Sequence, residues 1–468
     1  MKRNLKNLFL VAFGEFIGPL LGFFVIAYLA RVLGVANFGR INFAQAVFSY
    51  GLLLNYLGLP TLGTREIARQ QNPEKIVPVI LSLRLILSLF GFVLISLISL
   101  ALPKGIETKT LIVLYGFSLF TTGLFLDWFF QGKEAMEYLA ISRILNYTVY
   151  LLFVLLTIHN QNDFYFVPIG FFLGNLTIVL FQFLVYEKRF GKIRLTFNWQ
   201  DSRQLLKMAL PLGIASLFIQ FGQYFTPTLL GLIKGNQAVG YFAAAYKLVM
   251  MIAIFDRVFT IVALPMITRF YTLNNPNLLQ QLHNRLQKFL IFGVLPILIG
   301  GVILAKDIIL LVYGTNYWQT VILFQILIFF FGITIFVSLY GVSLIAAQKE
   351  FQYAKAIGFG TLTNILFNPF LTFYLGALGA SITVVLAEAV TLTFALINYH
   401  RIGGIIGFGR LKQILPKSLF ATCLMAFFLL LFSNSNLFLR MVGAFIIYGG
   451  LLFLVRGITQ DDFRLSTL

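Results

Sequence analysis

The sequence predicts an all-α membrane protein of about fourteen transmembrane helices. The expected plan is two parallel six-helix lobes around a central cavity, followed by two C-terminal helices. Three observations carry that expectation: a composition too apolar for a water-facing surface, a succession of bilayer-length apolar runs, and an internal echo between the two halves.

The chain has 468 residues, of which 59% are hydrophobic and 11% charged. Soluble domains carry roughly 25% charged residues, and less than half of that cannot coat a soluble surface of this size. The 53 Phe residues suit contact with lipid. The formal net charge of +19 comes from 35 Lys and Arg against 16 Asp and Glu. These basic residues sit mainly in short loops, so the positive-inside rule accounts for them and a nucleic-acid partner is not expected. The single cysteine, Cys423, rules out a disulfide framework within the chain. His159, His283 and His400 are far apart in sequence and show no metal-ligand spacing. No metal and no cofactor is expected, and no phosphate-binding Gly-rich loop with a following Lys is present.

The first apolar run, Leu8 to Ala30, follows a basic start and is long enough to span a bilayer. It exceeds the apolar core of a signal peptide, and Tyr28 spoils a small-residue cleavage pattern, so it reads as an uncleaved span. The expected spans are 8–30, 40–62, 76–101, 110–130, 138–158, 164–186, 209–232, 238–263, 288–305, 319–346, 353–374, 378–398, 416–433 and 437–455. With the N-terminus in the cytoplasm, 25 of the 35 Lys and Arg fall in inside segments, 7 in outside segments and 3 within spans. That bias predicts a multi-pass inner-membrane protein with both termini cytoplasmic.

Gly34, Gly39 and Ala44 recur as Gly235, Gly240 and Ala245, each 201 residues later. A second echo pairs Gln131-Gly-Lys133-Glu134 with Gln348-Lys349-Glu350. Both echoes fall at equivalent loops of a six-helix unit. Six is even, so the two units start on the same side and the repeat is parallel, with its pseudo-twofold along the membrane normal. The expected organisation is an N-terminal lobe over 1–190, a basic cytoplasmic linker over 191–208, a second lobe over 209–400, and two extra helices with a cytoplasmic tail over 401–468.

The Leu33-Gly-Val-Ala-Asn-Phe-Gly39 turn, the Thr64-Arg-Glu-Ile-Ala68 loop and Asp127-Trp-Phe-Phe-Gln-Gly-Lys-Glu134 resemble the Wzx-type polysaccharide-biosynthesis flippases. That family belongs to the superfamily that also holds multidrug (MATE) exporters and the lipid II flippase. The resemblance implies flipping of an undecaprenyl-diphosphate-linked repeat unit from the cytoplasmic to the periplasmic leaflet, by alternating access, for O-antigen, capsule or exopolysaccharide assembly. It also implies a polysaccharide polymerase and a chain-length regulator as functional partners.

A charge at the bilayer centre costs roughly 2.5–3.5 kcal/mol on insertion scales, so each one needs a reason. Lys247 lies deep in span 8 and is the first candidate for the substrate diphosphate, which needs cationic donors in place of water. Its competing reading is an interhelical ion pair. Arg257 follows ten residues on, about 80° round one continuous helix, and is a second candidate against local pairing with Asp256 or snorkelling. Arg84 could receive the diphosphate from the inner leaflet, or snorkel. Glu388 and Glu15 are candidates for coupling to protons or sodium, against structural pairing. Asp127 reads as a structural member of its motif.

Asn42, Gln45, Asn55, Gln220, Gln223 and Tyr224 suit sugar hydroxyls, although amides in spans more often bond neighbouring helices. Span 2 carries no charge between Arg40 and Arg65, so a dense arginine cluster is missing and lipid II is a poor fit as cargo. A drug or cation antiporter would need cavity acids in excess of cations. A membrane polymerase would need a sizeable outer loop with catalytic acid or Arg residues, and the outer loops here are short.

Overall fold

The computed structural model describes residues 2–69, 73–193, 195, 198–272, 276–404, 408–455 and 457; the side chains of 2–17, 19, 212, 214–219, 276 and 408–412 lie outside that description. The described residues contain helices and no strands. Twelve helices among them are long and apolar enough to cross a membrane. Backbone polar groups have no water to bond in hydrocarbon, and a helix satisfies them internally.

The chain divides into two compact units, residues 1–244 with 372–377, and residues 245–371 with 378–468. The first unit opens with α1 (Lys2–Tyr56), which merges spans 1 and 2 across a non-helical Gly34. Short α2 (Leu59–Ala68) follows, then α3 (Pro73–Ala101). The fourth expected span is broken into α4 (Ile106–Gly116), α5 (Ser118–Gly123) and α6 (Asp127–Gly132). α7 (Met136–Thr157) and α8 (Phe166–Phe190) pack on each other, and α7 also packs on α1. α9 (Trp199–Lys234) lies against α1, running antiparallel to its second half: Gly231 meets Phe43, and Gly213 meets Leu57.

In the second unit, span 8 is divided at Ala253 into α10 (Asn236–Ile252), which begins in the first unit, and α11 (Ile254–Thr272). α12 (Pro276–Tyr313), α13 (Thr320–Ala346), α14 (Glu350–Leu375) and α15 (Ala377–Arg401) follow, with the α14–α15 corner assigned to the first unit. The extra pair, α16 (Phe408–Leu431) and α17 (Leu437–Leu454), packs on α12 through Ile291, Phe292, Leu304, Met425 and Tyr448. Leu100, Leu156, Leu184, Phe445 and Leu454 stand exposed, a pattern that suits hydrocarbon and not water.

The echo seen in sequence is an echo in backbone. Gly34 has φ 72° and ψ 171°; Gly235 has φ 84° and ψ −179°. Such angles suit glycine, which has no Cβ to clash. The second echo shifts register. Glu134 and Gln348, both at left-handed φ (56° and 58°), end matching corners in which Ala135 N–H donates to Phe130 O and Lys349 N–H to Leu344 O. The backbone therefore pairs Glu134 with Gln348, where the residue-type match had paired Gln131 with Gln348.

Candidate functional site

In the first unit a buried cation organises the polar interior. Arg84 on α3 is 2% exposed, so it does not snorkel. Its Nε donates to Asn55 Oδ1 at 3.0 Å, Nη1 to Phe125 O at 2.9 Å and Nη2 to Thr122 O at 2.7 Å. The breaks around α5 explain those acceptors: a carbonyl at an interrupted turn has no partner four residues on and is open to another donor. Asn55 is oriented in turn, since its Nδ2 donates to Ser88 Oγ and Leu119 O. The Tyr56 ring lies 5.7 Å from the guanidinium carbon. Arg84 is thus held as a strut by protein groups.

Asp127 heads α6 and accepts from Gln182 Nε2 of α8, while Gln182 Oε1 accepts from Leu126 N–H at 2.7 Å. The two motif stretches pack on each other. Thr64 Oγ1 donates to Trp128 O at 3.0 Å, Gly63 abuts the Trp128 ring, and Gly132 abuts Ile67. Trp128, Phe129 and Phe130 fill a core with Tyr186 and Leu62. The resemblance motifs therefore build a corner.

Tyr56 lies within electrostatic reach of Arg84, Asp127, Tyr224 and Arg143. Arg143 stands on α7. Of the amide candidates, Asn42 is buried and donates to Phe38 O of its own helix at 2.7 Å. Gln45, Gln220 and Tyr224 are half-buried and Gln223 is exposed. Tyr50, which sequence reasoning passed over, places its ring 5.4 Å from Phe221 with its hydroxyl beside Thr228. The side chain of Glu15 lies outside the described residues.

In the second unit Lys247 is half-buried on α10 and Arg257 is exposed on α11. The turn at Ala253 separates them, so the angle expected on one continuous helix does not apply. Glu388 is not a lone acid. It lies beside Thr334 of α13 and within electrostatic reach of Asp256, which lies beside Ser338. Tyr353 of α14 senses both carboxyl groups. Asp256 Oδ1 is buried with no hydrogen-bond partner among the described residues. Four helices thus bring two acids, two hydroxyls and a phenol together, a set of oxygen donors suited to a proton or a small hard cation. The two acids stand 132 positions apart in sequence, so no local pattern announces the pair.

A family model described as polysaccharide biosynthesis protein matches residues 4–271. A protein of Escherichia coli (strain K12) named "Putative O-antigen transporter" is 25% identical over 413 residues, covering 85% of this chain and 96% of that protein. A protein of the same name from Shigella dysenteriae is 26% identical over 411 residues, covering 85% and 99%. Among solved structures, the lipid II flippase MurJ in an inward closed conformation aligns with a TM-score of 0.80 at 15% identity, covering 97% of this chain and 99% of that one. An inward-facing MATE-family multidrug transporter of the MOP superfamily aligns at 0.64 with 16% identity, covering 84% and 98%. At these identities the structural likeness concerns the fold.

Proposed function

The chain belongs to the polysaccharide biosynthesis protein family, and from that membership we propose that it is a transporter, not an enzyme, that flips a polyprenyl-diphosphate-linked oligosaccharide across the inner membrane. The direction is from the cytoplasmic to the periplasmic leaflet, with both termini cytoplasmic. The observation that carries this reading is the set of ionisable groups held within the spans. The first unit has Arg84, Arg143 and Asp127 within electrostatic reach of Tyr56. The second has the cations Lys247 and Arg257 and the paired acids Asp256 and Glu388. A diphosphate requires cationic donors along its path, and a coupling cation requires acids.

Lys247 binds the diphosphate, with Arg257 at the rim. Glu388 and Asp256 form the coupling site for a proton or sodium ion, and a carboxyl between buried neighbours changes its charge at low cost when a cation arrives. Gln45, Tyr50, Gln220, Gln223 and Tyr224 supply amide and hydroxyl groups for the glycan. A polymerase and a chain-length regulator then act on the delivered unit.

The test is deletion of the gene in its host with leaflet-resolved analysis of the lipid-linked sugar. A completed unit accumulating on the cytoplasmic leaflet, rescued by wild type and not by Lys247→Ala, supports the proposal. Normal surface glycan with altered tolerance to cationic drugs overturns it and moves the chain to the multidrug branch of the fold.

A further inference from the structure

The two echoed corners touch. A Cβ added at Gly39 would fall 1.8 Å from Asn236 O and 2.8 Å from Gly240 N. A Cβ added at Gly240 would fall 2.2 Å from Val35 O. Val35 and Asn236 stand 201 positions apart, as do Gly39 and Gly240. Each glycine therefore meets the carbonyl that is the repeat mate of the carbonyl its own mate meets, the reciprocity of a twofold contact. Such an approach needs at least one partner without a side chain, here Gly39 against Asn236 and Gly240 against Val35.

One long side chain straps the seam. Lys104, in the turn between α3 and α4, places Nζ 2.5 Å from Gly231 O, 3.4 Å from Asn236 Oδ1 and 4.8 Å from the Phe43 ring centroid. Burial lowers its pKa from the ordinary lysine value. Asn236 Nδ2 reaches Thr108 Oγ1 at 3.4 Å. Beside the seam, Arg40 meets Glu107 at 3.3 Å and Asn37 donates to Gln161 O at 2.8 Å. Counting spans along the chain puts all these turns on the membrane face opposite the basic 187–208 segment.

We propose that this glycine seam, strapped by Lys104, is the gate on the face opposite the basic linker, shut in this structure and parted when cargo is released there. The proposal rests on the transport reading for its purpose, not for its geometry. The closest approaches at Gly39 and Gly240 are to backbone, and the side chains that must withdraw when the seam parts are Val35 beside Gly240 and the Phe43 ring against Gly231. The Lys104 contacts are the directional bonds that hold α9 and α10 to the α3–α4 turn. Losing one net hydrogen bond shifts a two-state equilibrium about fivefold.

The experiment uses the full chain in a cysteine-free Cys423→Ser background with Val239→Cys, a seam position that is fully buried. A membrane-impermeant maleimide is added to intact cells. Slow labelling is expected, rising about fivefold with Lys104→Met. Labelling should also rise with Gly240→Ala and stay near the parent rate with Lys104→Arg. Ser142→Cys, buried in α7, serves as the control for general loosening.

If Lys104→Met inserts normally and labels Val239→Cys no faster than the parent, the seam is static and the proposal fails. If Ser142→Cys labels faster in step, the change is global and the proposal also fails. Lys104→Met decides the matter should Gly240→Ala not fold. A seam that loosens in a chain that moves no lipid-linked sugar leaves the gate standing and removes the transport reading.

Discussion

Arg440 of α17 meets Asp307 of α12 at 2.6 Å, with its Nη atoms also donating to Ser433 O and Leu429 O. This pair pins the C-terminal hairpin to the second unit. The arginine side chain is 5% exposed and the aspartate 37%, so the pair is sealed on one side only. Arg440→Met should lower stability by about 2 kcal/mol, between the buried and exposed limits for a broken pair. Thermal unfolding in detergent checks this, and adding Asp307→Leu should recover part of the loss.

Arg84→Met should cost roughly 3–5 kcal/mol, because in a dry site it leaves Asn55 Oδ1 and Phe125 O without their donor and takes one of two donors from Thr122 O. Arg84→Lys should fare little better, since an ammonium cannot reproduce the planar fork that spans Asn55, Thr122 and Phe125. The expected phenotype is loss of folded protein. Fluorescence-detected size exclusion would show it, and normal yield with selective loss of transport would instead make Arg84 a cargo ligand.

Lys247→Met should leave folded yield near wild type and reduce transport at least tenfold, about 1.4 kcal/mol of lost charge-assisted bonding. Lys247→Arg should retain part of the activity. Flipping of a diphosphate-linked sugar in proteoliposomes, scored by its exposure to an added glycosidase, separates the two variants.

Glu388→Gln and Asp256→Asn should each abolish the response of transport to an imposed proton or sodium gradient while leaving downhill exchange. The double variant should behave like either single one, as expected of groups that act as a unit. Additive losses would mean two separate roles.

Glu134→Gly and Gln348→Gly should each stabilise the chain by roughly 0.5–1 kcal/mol, because both positions hold a left-handed φ that penalises any Cβ. Glu134→Ala should give no gain. Thermal midpoints of the three variants decide this.

Much of the fold was legible in the sequence because hydrocarbon imposes a length and a polarity on every crossing segment. The Gly34 and Gly235 corners were visible as an echo, since only glycine fits their angles. The interrupted helix over 106–132 was less so. Gly116 and Gly123 stand just before its breaks, yet the run stays apolar throughout and reads as one span. The turn at Ala253 has no glycine or proline at the break itself, so span 8 looked continuous. Arg84 was rightly marked as a charge needing a reason, but its reason is three-dimensional: acceptors freed by those same breaks. The Asp256–Glu388 pair was missed because nothing local joins α11 to α15.

The matched corners at Glu134 and Gln348 carry a last consequence. A bend that survives in duplicate while its residue changes from acid to amide records a duplication whose backbone stayed put as its chemistry drifted. The offset of 201 that relates the glycine corners, unlike the 214 between Glu134 and Gln348, sets Asn55, neutral and bound to Arg84, in register with Asp256. Two like corners thus carry unlike side chains, and a side chain can be exchanged at one of them without moving the backbone of the other.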